Sequence, residues 1–199
     1  PAAASVTPYT AQYLVTDVGI GGSVWYSDGT RWRAVGGRVT LFDLQTQING
    51  AAQTAAQNLI ECRIFSGLVK NGDMLRIANA IGKSGTVDSV QRAIRISASA
   101  GVTNGTALVG GSSFPGTTSR SSGEKVEFRR VSATSVLPIG NGSGTLPFYG
   151  ASANALPSAV TTPSLDSGDV YISSVLTMTS GSETPTQQTF TVELLTSGA

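Results

Sequence analysis

The acidic residues are the side chains of this sequence best able to do chemistry, because histidine is absent. Without histidine the chain cannot build a Ser-His-Asp or Cys-His nucleophilic site, a histidine general base or a zinc site with histidine ligands. The single cysteine, Cys62, also excludes a cysteine-rich zinc or iron–sulfur site. What remains on the enzymatic side is carboxylate chemistry or a mechanism based on lysine.

The 12 carboxylates are spaced in a way that favours structural roles. A glycosidase needs two carboxyl groups roughly 5–10 Å apart across a sugar cleft. Glu124 and Glu127 are three positions apart, so on one strand they point to opposite faces. Other aspartates fall in turn-forming sequences, where a carboxylate binds nearby backbone N–H groups. These are Asp28, Asp73, Asp166 and Asp169. We therefore predict no catalytic residues and expect that the protein is not an enzyme.

Metal and cofactor sites are not expected either. Asp166-x-x-Asp169 could ligate Ca²⁺, but two carboxylates without acidic neighbours make a weak site, so we expect a structural turn. The glycine-rich segments 19–22 and 140–144 lack the lysine and the strand–loop–helix context of a phosphate-binding loop. Cys62 lies in the β-prone run 58–65 and is expected to be a small buried residue rather than a reactive thiol.

Composition favours an all-β protein. Charged residues make up only 13% of the chain, against about 25% in typical proteins, and Gly stands at 24. Abundant Thr, Val and Ser between glycine turns suits short strands. The net charge is +1 with no cluster of basic residues, which gives no footprint for nucleic acid. No apolar run approaches the roughly 18 residues that span a bilayer, so we expect no membrane insertion.

A hairpin carrying both tryptophans stands out near the N-terminus. Residues 23–27 and 30–35 are β-prone and are joined by Asp28-Gly29, and this dipeptide is typical of a type I′ turn. Trp25 and Trp32 flank the turn. Aromatic side chains at these positions could stack on sugars or bases, form the core of a small unit, or pack against a neighbouring subunit. Packing is the favoured interpretation, because so small a hairpin needs support.

The rest of the chain predicts a sandwich of antiparallel strands. Residues 45–55 are rich in Gln and Ala and fit either a linker or a short helix. About seven strands follow, separated by turns and by the long loops 101–123 and 140–163, the first of which carries a short strand around 107–109. This spacing suits a β-sandwich that is jelly-roll-like. We therefore predict an N-terminal arm and β-hairpin anchoring module over 1–44, a linker or helix over 45–55 and a β-sandwich domain over 56–199.

Residues 15–41 include Trp25-Tyr-Ser-Asp-Gly-Thr-Arg-Trp-Arg33 and resemble a module of bacteriophage virion proteins. In those tail-fibre-like and head-decorating proteins, a W-x-S-D/N-G-T-R-W-R/K-x-V-x-G hairpin precedes a C-terminal β domain. Residues 75–96, with Gly82-Lys-Ser-Gly-Thr86 at the turn, are similar to that β domain. The resemblance implies a virion surface protein, usually trimeric, without cofactor or chemistry. The side chains expected to contact another subunit or virion protein are Trp25, Tyr26, Arg31, Trp32 and Arg33.

The function expected from this resemblance is that of a virion structural protein on a bacteriophage particle. The short chain favours a capsid-decorating protein (head fibre or cement) or a short tail fibre, assembled as a homotrimer in the bacterial host cytoplasm. A lone cysteine fits that reducing compartment. The alternative is a carbohydrate-binding host-attachment module of a tail fibre or spike, with Phe148 and Tyr149 as glycan contacts. A spike that degrades polysaccharide is a third hypothesis.

Overall fold

The fold consists of β-strands joined by turns. The structure, a computed structural model, describes residues 12–15, 23–27, 32–114, 120–139 and 158–196. These residues form fourteen strands and no helix, so the predicted all-β class is confirmed. The strands are β1 (Gln12–Val15), β2 (Ser23–Ser27), β3 (Trp32–Ala34), β4 (Arg38–Asp43), β5 (Ile48–Asn49), β6 (Gln57–Ile64), β7 (Met74–Lys83), β8 (Val90–Ser97), β9 (Thr106–Phe114), β10 (Arg120–Ser132), β11 (Ser135–Ile139), β12 (Val160–Thr161), β13 (Val170–Met178) and β14 (Pro185–Leu195).

Strand pairing gives the fold of a jelly roll. Antiparallel pairs join β4 to β14, β6 to β13, β7 to β10 and β8 to β9. These four pairs are nested along the chain, which is the pairing of one long antiparallel hairpin. Rolling that hairpin produces two sheets. The larger sheet has the order β12-β11-β10-β7-β14-β4, with β5 on β14, and the smaller has the order β6-β13-β8-β9. The predicted jelly-roll-like sandwich is therefore confirmed.

Alternating apolar side chains fill the space between the two sheets. On β7 the side chains of Leu75, Ile77 and Ile81 are at most 1% exposed. Equivalent alternation buries Phe128 on β10 and Phe190 on β14, as the period of two in the sequence predicts. The buried side chains form a main cluster and a smaller one. The smaller cluster consists of Ile81, Val90, Leu176 and Met178, with Leu59 packed against it.

Two segments differ from the sequence-based expectation. The segment 101–123, expected to be a loop with a short strand around 107–109, is largely strand: β9 extends that short strand to 106–114, and β10 begins at Arg120. Ser, Thr and Gly hide the alternation there, whereas backbone hydrogen bonding to β8 and β7 does not depend on side-chain type. Residues 45–55 contain β5 and no helix. β10 contains a bulge, seen as a register shift against β11 between Arg130 and Ser132.

The N-terminal strands form a separate three-stranded sheet in the order β1-β2-β3. The chain passes from β3 through Gly36 and Gly37, both with positive φ, directly into β4 at the edge of the larger sheet. Thus β4 lies before the predicted boundary at residue 44 but pairs with β14 of the sandwich. The division into 1–44, 45–55 and 56–199 stays a prediction. No membrane-spanning helix occurs in the described ranges.

Candidate functional site

The tryptophan hairpin forms as two paired strands. In the register of β2 and β3, Trp25 lies opposite Ala34, Tyr26 opposite Arg33, and Ser27 opposite Trp32. β1 extends this hairpin on the other side, pairing Tyr13 with Trp25. The segment between the two strands, which includes Arg31 and the predicted Asp28-Gly29 turn, lies outside the described residues.

The hairpin packs against the jelly roll through Trp25. This side chain is 5% exposed and belongs to the same apolar cluster as Val39 of β4 and Leu194 of β14. Trp32 is half-buried against that cluster, Tyr26 is half-buried and Arg33 is buried. Trp25 is therefore a packing residue of the chain itself. The role of these four residues as partner contacts stays a prediction.

The predicted glycan-contacting residues, Phe148 and Tyr149, lie outside the described residues, as does most of the loop 140–163. That part of the sequence-based interpretation therefore stays a prediction. The described side chains that carry charge occupy other places in the fold, and each of the groups below has a structural function.

Asp88 ties together two turns at one end of the sandwich. It lies between β7 and β8, and its carboxylate accepts hydrogen bonds from consecutive backbone N–H groups after β13: Ser180 at 2.5 Å, Gly181 at 3.1 Å, Ser182 at 2.9 Å and Glu183 at 3.0 Å. Burial raises the pKa of Asp88, but donation from the Ser180 hydroxyl and from these N–H groups outweighs burial and holds the pKa far below its usual range. The carboxylate is thus an internal anion in a backbone nest.

Lys83 and Glu183 form a buried ion pair beside Asp88. The Lys83 ammonium donates to Glu183 Oε2 at 2.9 Å and to the Gly85 carbonyl at 2.9 Å, and its side chain has no exposed surface. Glu183 Oε1 also accepts the Val87 N–H at 2.5 Å. Burial raises the pKa of Glu183, yet the Val87 and Lys83 donors lower it by more, so that the carboxyl stays ionised. The pair holds the β7–β8 turn against the start of β14.

Asp166 and Asp169 hold the turn before β13, as the sequence predicts. Asp166 accepts from the buried Arg130 guanidinium through both carboxylate oxygens, and this hydrogen bonding lowers its pKa. Asp169 accepts the Ser66 N–H at 2.9 Å and the Arg63 guanidinium, and those two donors lower its pKa. Both carboxylates are thus bound to cationic or backbone donors rather than arranged around a metal.

A layer of polar side chains crosses the interior between the two apolar clusters. Asn79 of β7 lies opposite Glu124 of β10, and its amide donates to that carboxylate at 3.4 Å. Arg92 of β8 reaches Glu124 from the facing sheet at 3.5 Å, with both side chains at most 5% exposed. Asn79 Oδ1 also accepts from Ser174 at 3.1 Å and Gln187 at 2.8 Å. This polar layer separates the smaller apolar cluster from the main one.

Sequence reasoning missed this layer and the Asp88 site. Asn79, Arg92 and Glu124 all occupy inward positions in their strands, so the alternation of residues contained the signal. Asp88 carries no local signal, because its donors lie more than 90 positions away along the chain. Among the described residues, no three His, Cys, Asp or Glu side chains come together to hold a metal ion. The charged groups of the Asp88 site, the Lys83–Glu183 pair, the Asp166–Asp169 turn and the polar layer therefore hold the fold together.

Comparison with known proteins does not identify a family for this chain. No family model matches this chain, and no curated protein matches it. Among solved structures, a chain in "Structure of infectious bursal disease virus Gx strain" is similar over 79% of this chain, with 10% identity and a TM-score of 0.24. This chain spans 38% of the length of that chain. A similarity of this size carries no argument about function.

Proposed function

We propose that this protein is a non-catalytic structural component on the surface of a bacteriophage particle, either a capsid-decorating protein or a short tail fibre. The observation that carries the proposal is the hairpin of Trp25 and Trp32. It forms the paired strands β2 and β3 and packs through a buried tryptophan onto a jelly roll. A hairpin followed by a β domain is the arrangement that the resembling virion proteins share.

The distribution of charge supports a structural role. Lys83, Asp88, Arg92 and Glu183 are all buried and bound within the fold. Surfaces rich in Ser, Thr and Gly carry little charge, and such surfaces can meet copies of themselves in a symmetric assembly without like-charge repulsion. The proposal therefore includes a homotrimer, with contacts to other virion proteins through the N-terminal module.

The use of the described carboxylates supports the absence of catalysis. A general acid needs a carboxyl group with a raised pKa in a cleft. Here the pKa values of Asp88, Asp166, Asp169 and Glu183 are lowered, and each side chain is held by donors of the fold itself. Groups of this kind stay ionised and hydrogen-bonded, which suits a scaffold.

The decisive experiment locates the chain in purified particles. Particles of the bacteriophage that encodes the chain are analysed by mass spectrometry, and cryo-electron microscopy compares them with particles from a deletion strain. We expect the chain in the particle in a copy number divisible by three, and a density on the capsid or tail that the deletion removes. A chain found in the host lysate but absent from purified particles contradicts the proposal.

Two further measurements test the trimer and the absence of catalysis separately. Light scattering on the full chain at micromolar concentration should give three times the chain mass of 20.3 kDa. A strict monomer, both in solution and in the particle, contradicts the trimer while leaving the virion role standing. Incubation with host polysaccharide should release no reducing ends. Depolymerase activity that is lost on replacing one Asp or Glu would instead establish a degrading spike.

A further inference from the structure

Three Asn-Gly pairs lie in the part of the chain that the structure describes. They are Asn49-Gly50, Asn71-Gly72 and Asn104-Gly105. Asparagine is thermolabile in proteins. It is most reactive before glycine, because a residue without a Cβ leaves its backbone nitrogen open to the preceding side chain. The dipeptide is the same at all three places, so the fold decides which of them reacts.

The reaction of such a pair is a deamidation. The glycine nitrogen gives up its proton to base and forms a bond to the side-chain carbonyl carbon of the asparagine. The bond from that carbon to the side-chain nitrogen breaks, so that ammonia leaves and a cyclic succinimide remains. Water then opens the ring at either carbonyl and gives aspartate or isoaspartate. Only water is consumed, but the glycine N–H must be free to lose its proton and the asparagine side chain free to turn towards it.

Hydrogen bonds to β14 hold the pair Asn49-Gly50. The Gly50 N–H donates to the Pro185 carbonyl at 2.8 Å. The Asn49 side chain accepts from the Thr186 hydroxyl at 2.9 Å. Both reacting groups are therefore occupied, and the local structure must open before they can meet.

The pair Asn71-Gly72 occupies the turn before β7 and is held to β10. The Gly72 N–H donates to the Arg130 carbonyl at 2.9 Å, and the Arg130 N–H donates to the Asp73 carbonyl at 2.9 Å. These two bonds continue the pairing of β7 with β10 beyond Met74. Asn71 is exposed, but the nitrogen that would attack its side chain is not free.

The pair Asn104-Gly105, in the loop between β8 and β9, differs from the other two. Asn104 is exposed, and within the described part of the chain neither its side chain nor the Gly105 N–H makes a hydrogen bond. Gly105 is held on its other side, because the Arg95 guanidinium donates to its carbonyl at 2.7 Å. A Cβ at residue 105 would stand 2.6 Å from the Ile96 carbonyl oxygen, so this position requires glycine. The fold thus keeps the reactive glycine after Asn104 and leaves its nitrogen free.

We propose that Asn104 is a site of spontaneous modification, where deamidation through a succinimide gives aspartate and isoaspartate in the native protein. In isoaspartate the backbone runs through the side-chain methylene, which lengthens it by one carbon just before β9 begins at Thr106. Either product adds a carboxylate, and this cancels the formal net charge of +1. The proposal rests on this loop alone and does not depend on the structural role proposed above.

Peptide mapping of the native full chain tests the site directly. The protein is incubated in mildly alkaline buffer, and mass spectrometry after proteolysis measures the deamidated fraction at each asparagine. A sample digested at time zero gives the background. We expect Asn104 to react fastest of the three, with rates at Asn49 and Asn71 lower by about tenfold or more, because each of those pairs must first lose hydrogen bonds. In urea the three rates should become similar, because the fold that separates them is gone.

Isoelectric focusing of aged native protein gives an independent readout, with Asn104→Gln and Asn49→Gln as matched variants, since glutamine forms the corresponding ring far more slowly. All proteins compared carry Asn141→Gln, because the pair Asn141-Gly142 lies outside the described residues. An acidic species should accumulate in the Asn141→Gln background and with Asn49→Gln, and should be absent with Asn104→Gln.

Three outcomes overturn the proposal. One is an Asn104 that stays intact in the native chain while all three asparagines react in urea. Another is an Asn49 or Asn71 that reacts as fast as Asn104 in the native chain. The third is an equal excess of reaction at Asn104 in urea, since the preference would then belong to the local sequence and not to the fold.

Discussion

The four backbone N–H groups around Asp88 come from one turn, whereas the carboxylate comes from another. The tie therefore joins segments about 90 residues apart in the chain and fixes the end of the sandwich where β7, β8, β13 and β14 meet. The hydroxyls of Ser180 and Ser182 add to it. Asparagine in place of Asp88 has a side chain of the same size, but its amide NH₂ group is a donor and would face backbone N–H groups that are also donors.

We expect Asp88→Asn to lower the melting temperature by on the order of 5 °C, because two of the N–H groups that Asp88 now satisfies face an amide nitrogen instead. Differential scanning calorimetry measures this. Asp43→Asn is the matched control, because among the described residues the Asp43 carboxylate accepts from the side chains of Gln45 and Thr191 and not from a group of backbone N–H donors. An equal decrease of the melting temperature in Asp43→Asn and Asp88→Asn would show that the backbone N–H donors around Asp88 add no particular stability.

Cys62 provides a second prediction about a single residue. Its side chain is 2% exposed, and burial raises the pKa of its thiol to about 12. The thiolate is the nucleophile, so both its concentration and its accessibility are low in the folded protein. We expect iodoacetamide at pH 8 to leave Cys62 unmodified in the native protein and to alkylate it fully in urea. Mass spectrometry reads the modification, and rapid native labelling would contradict the burial of β6.

Among the elements, the polar layer between the sheets has the largest consequence for stability. Arg92 and Glu124 face each other across the sandwich, and burial lowers the pKa of Arg92 while Glu124 raises it. A buried ion pair is strongly destabilising when one partner is removed, yet an apolar pair of similar size often replaces both without loss. Each charge of the Arg92–Glu124 pair is therefore needed mainly because the other is buried beside it.

A double-mutant cycle on β8 and β10 tests this. We expect Arg92→Met alone and Glu124→Leu alone each to reduce the free energy of unfolding by about 3–5 kcal/mol, because each leaves a buried charge uncompensated. The double variant should lie within about 2 kcal/mol of the wild type. Urea denaturation measures all four proteins. If the decrease in the free energy of unfolding of the double variant equals the sum of the two single decreases, Arg92 and Glu124 do not interact.

The N-terminal sheet gives the next prediction at this scale. Trp25 of β2 shares the main apolar cluster with β4 and β14, so removing its ring should leave a cavity at that junction. We expect Trp25→Ala to lower the free energy of unfolding by about 3–5 kcal/mol. Val24→Ala, at a side chain that is 39% exposed, should change it by about 0.5 kcal/mol or less. Equal effects of the two substitutions would show that β2 does not pack on the jelly roll.

Strands could be predicted where apolar and polar residues alternate along the sequence, and not where the strand is defined only by pairing with a distant segment. The alternation of Leu75, Ile77 and Phe128 with more polar neighbours predicts from the sequence that they face the core, because in a half-buried strand every second side chain is buried. The structure buries all three. The same reasoning finds only the short strand around 107–109 and misses the rest of β9, which pairs with β8 through the small and polar residues 110–113. It also missed the hydrogen bond from the Gly101 N–H, in the β8–β9 loop, to Glu61 of β6, which depends on sheet order rather than on sequence spacing.

The candidate sites follow the same division. A buried packing role for Trp25 was favoured from the hairpin alone, since two short strands need a support. The Asp88 site could not be predicted, because the carboxylate and the backbone N–H groups that donate to it lie about 90 residues apart in the chain and meet only in the fold. Long-range pairing of this kind requires the topology.

The response of the whole molecule to acid follows from its described carboxylates. The pKa values of Asp88, Asp166, Asp169 and Glu183 are all lowered in the folded protein. Groups of this kind contribute stability that is fully present above their unfolded pKa values of about 3.9–4.3. As pH falls through and below those values, the unfolded chain takes up protons that the folded chain does not, so stability is lost progressively. The absence of histidine removes the side chain that ordinarily titrates between about pH 5.5 and 8.

We therefore expect the melting temperature to be nearly constant from about pH 8 to pH 5.5 and to fall steadily below about pH 4. Calorimetry across this range at constant ionic strength measures the profile. Asp88→Asn should show a shallower fall in acid than the wild type, because one of the groups that resists protonation in the folded state is gone. A melting temperature that is unchanged between pH 5 and pH 3 would mean that these ties do not hold the ends of the sandwich.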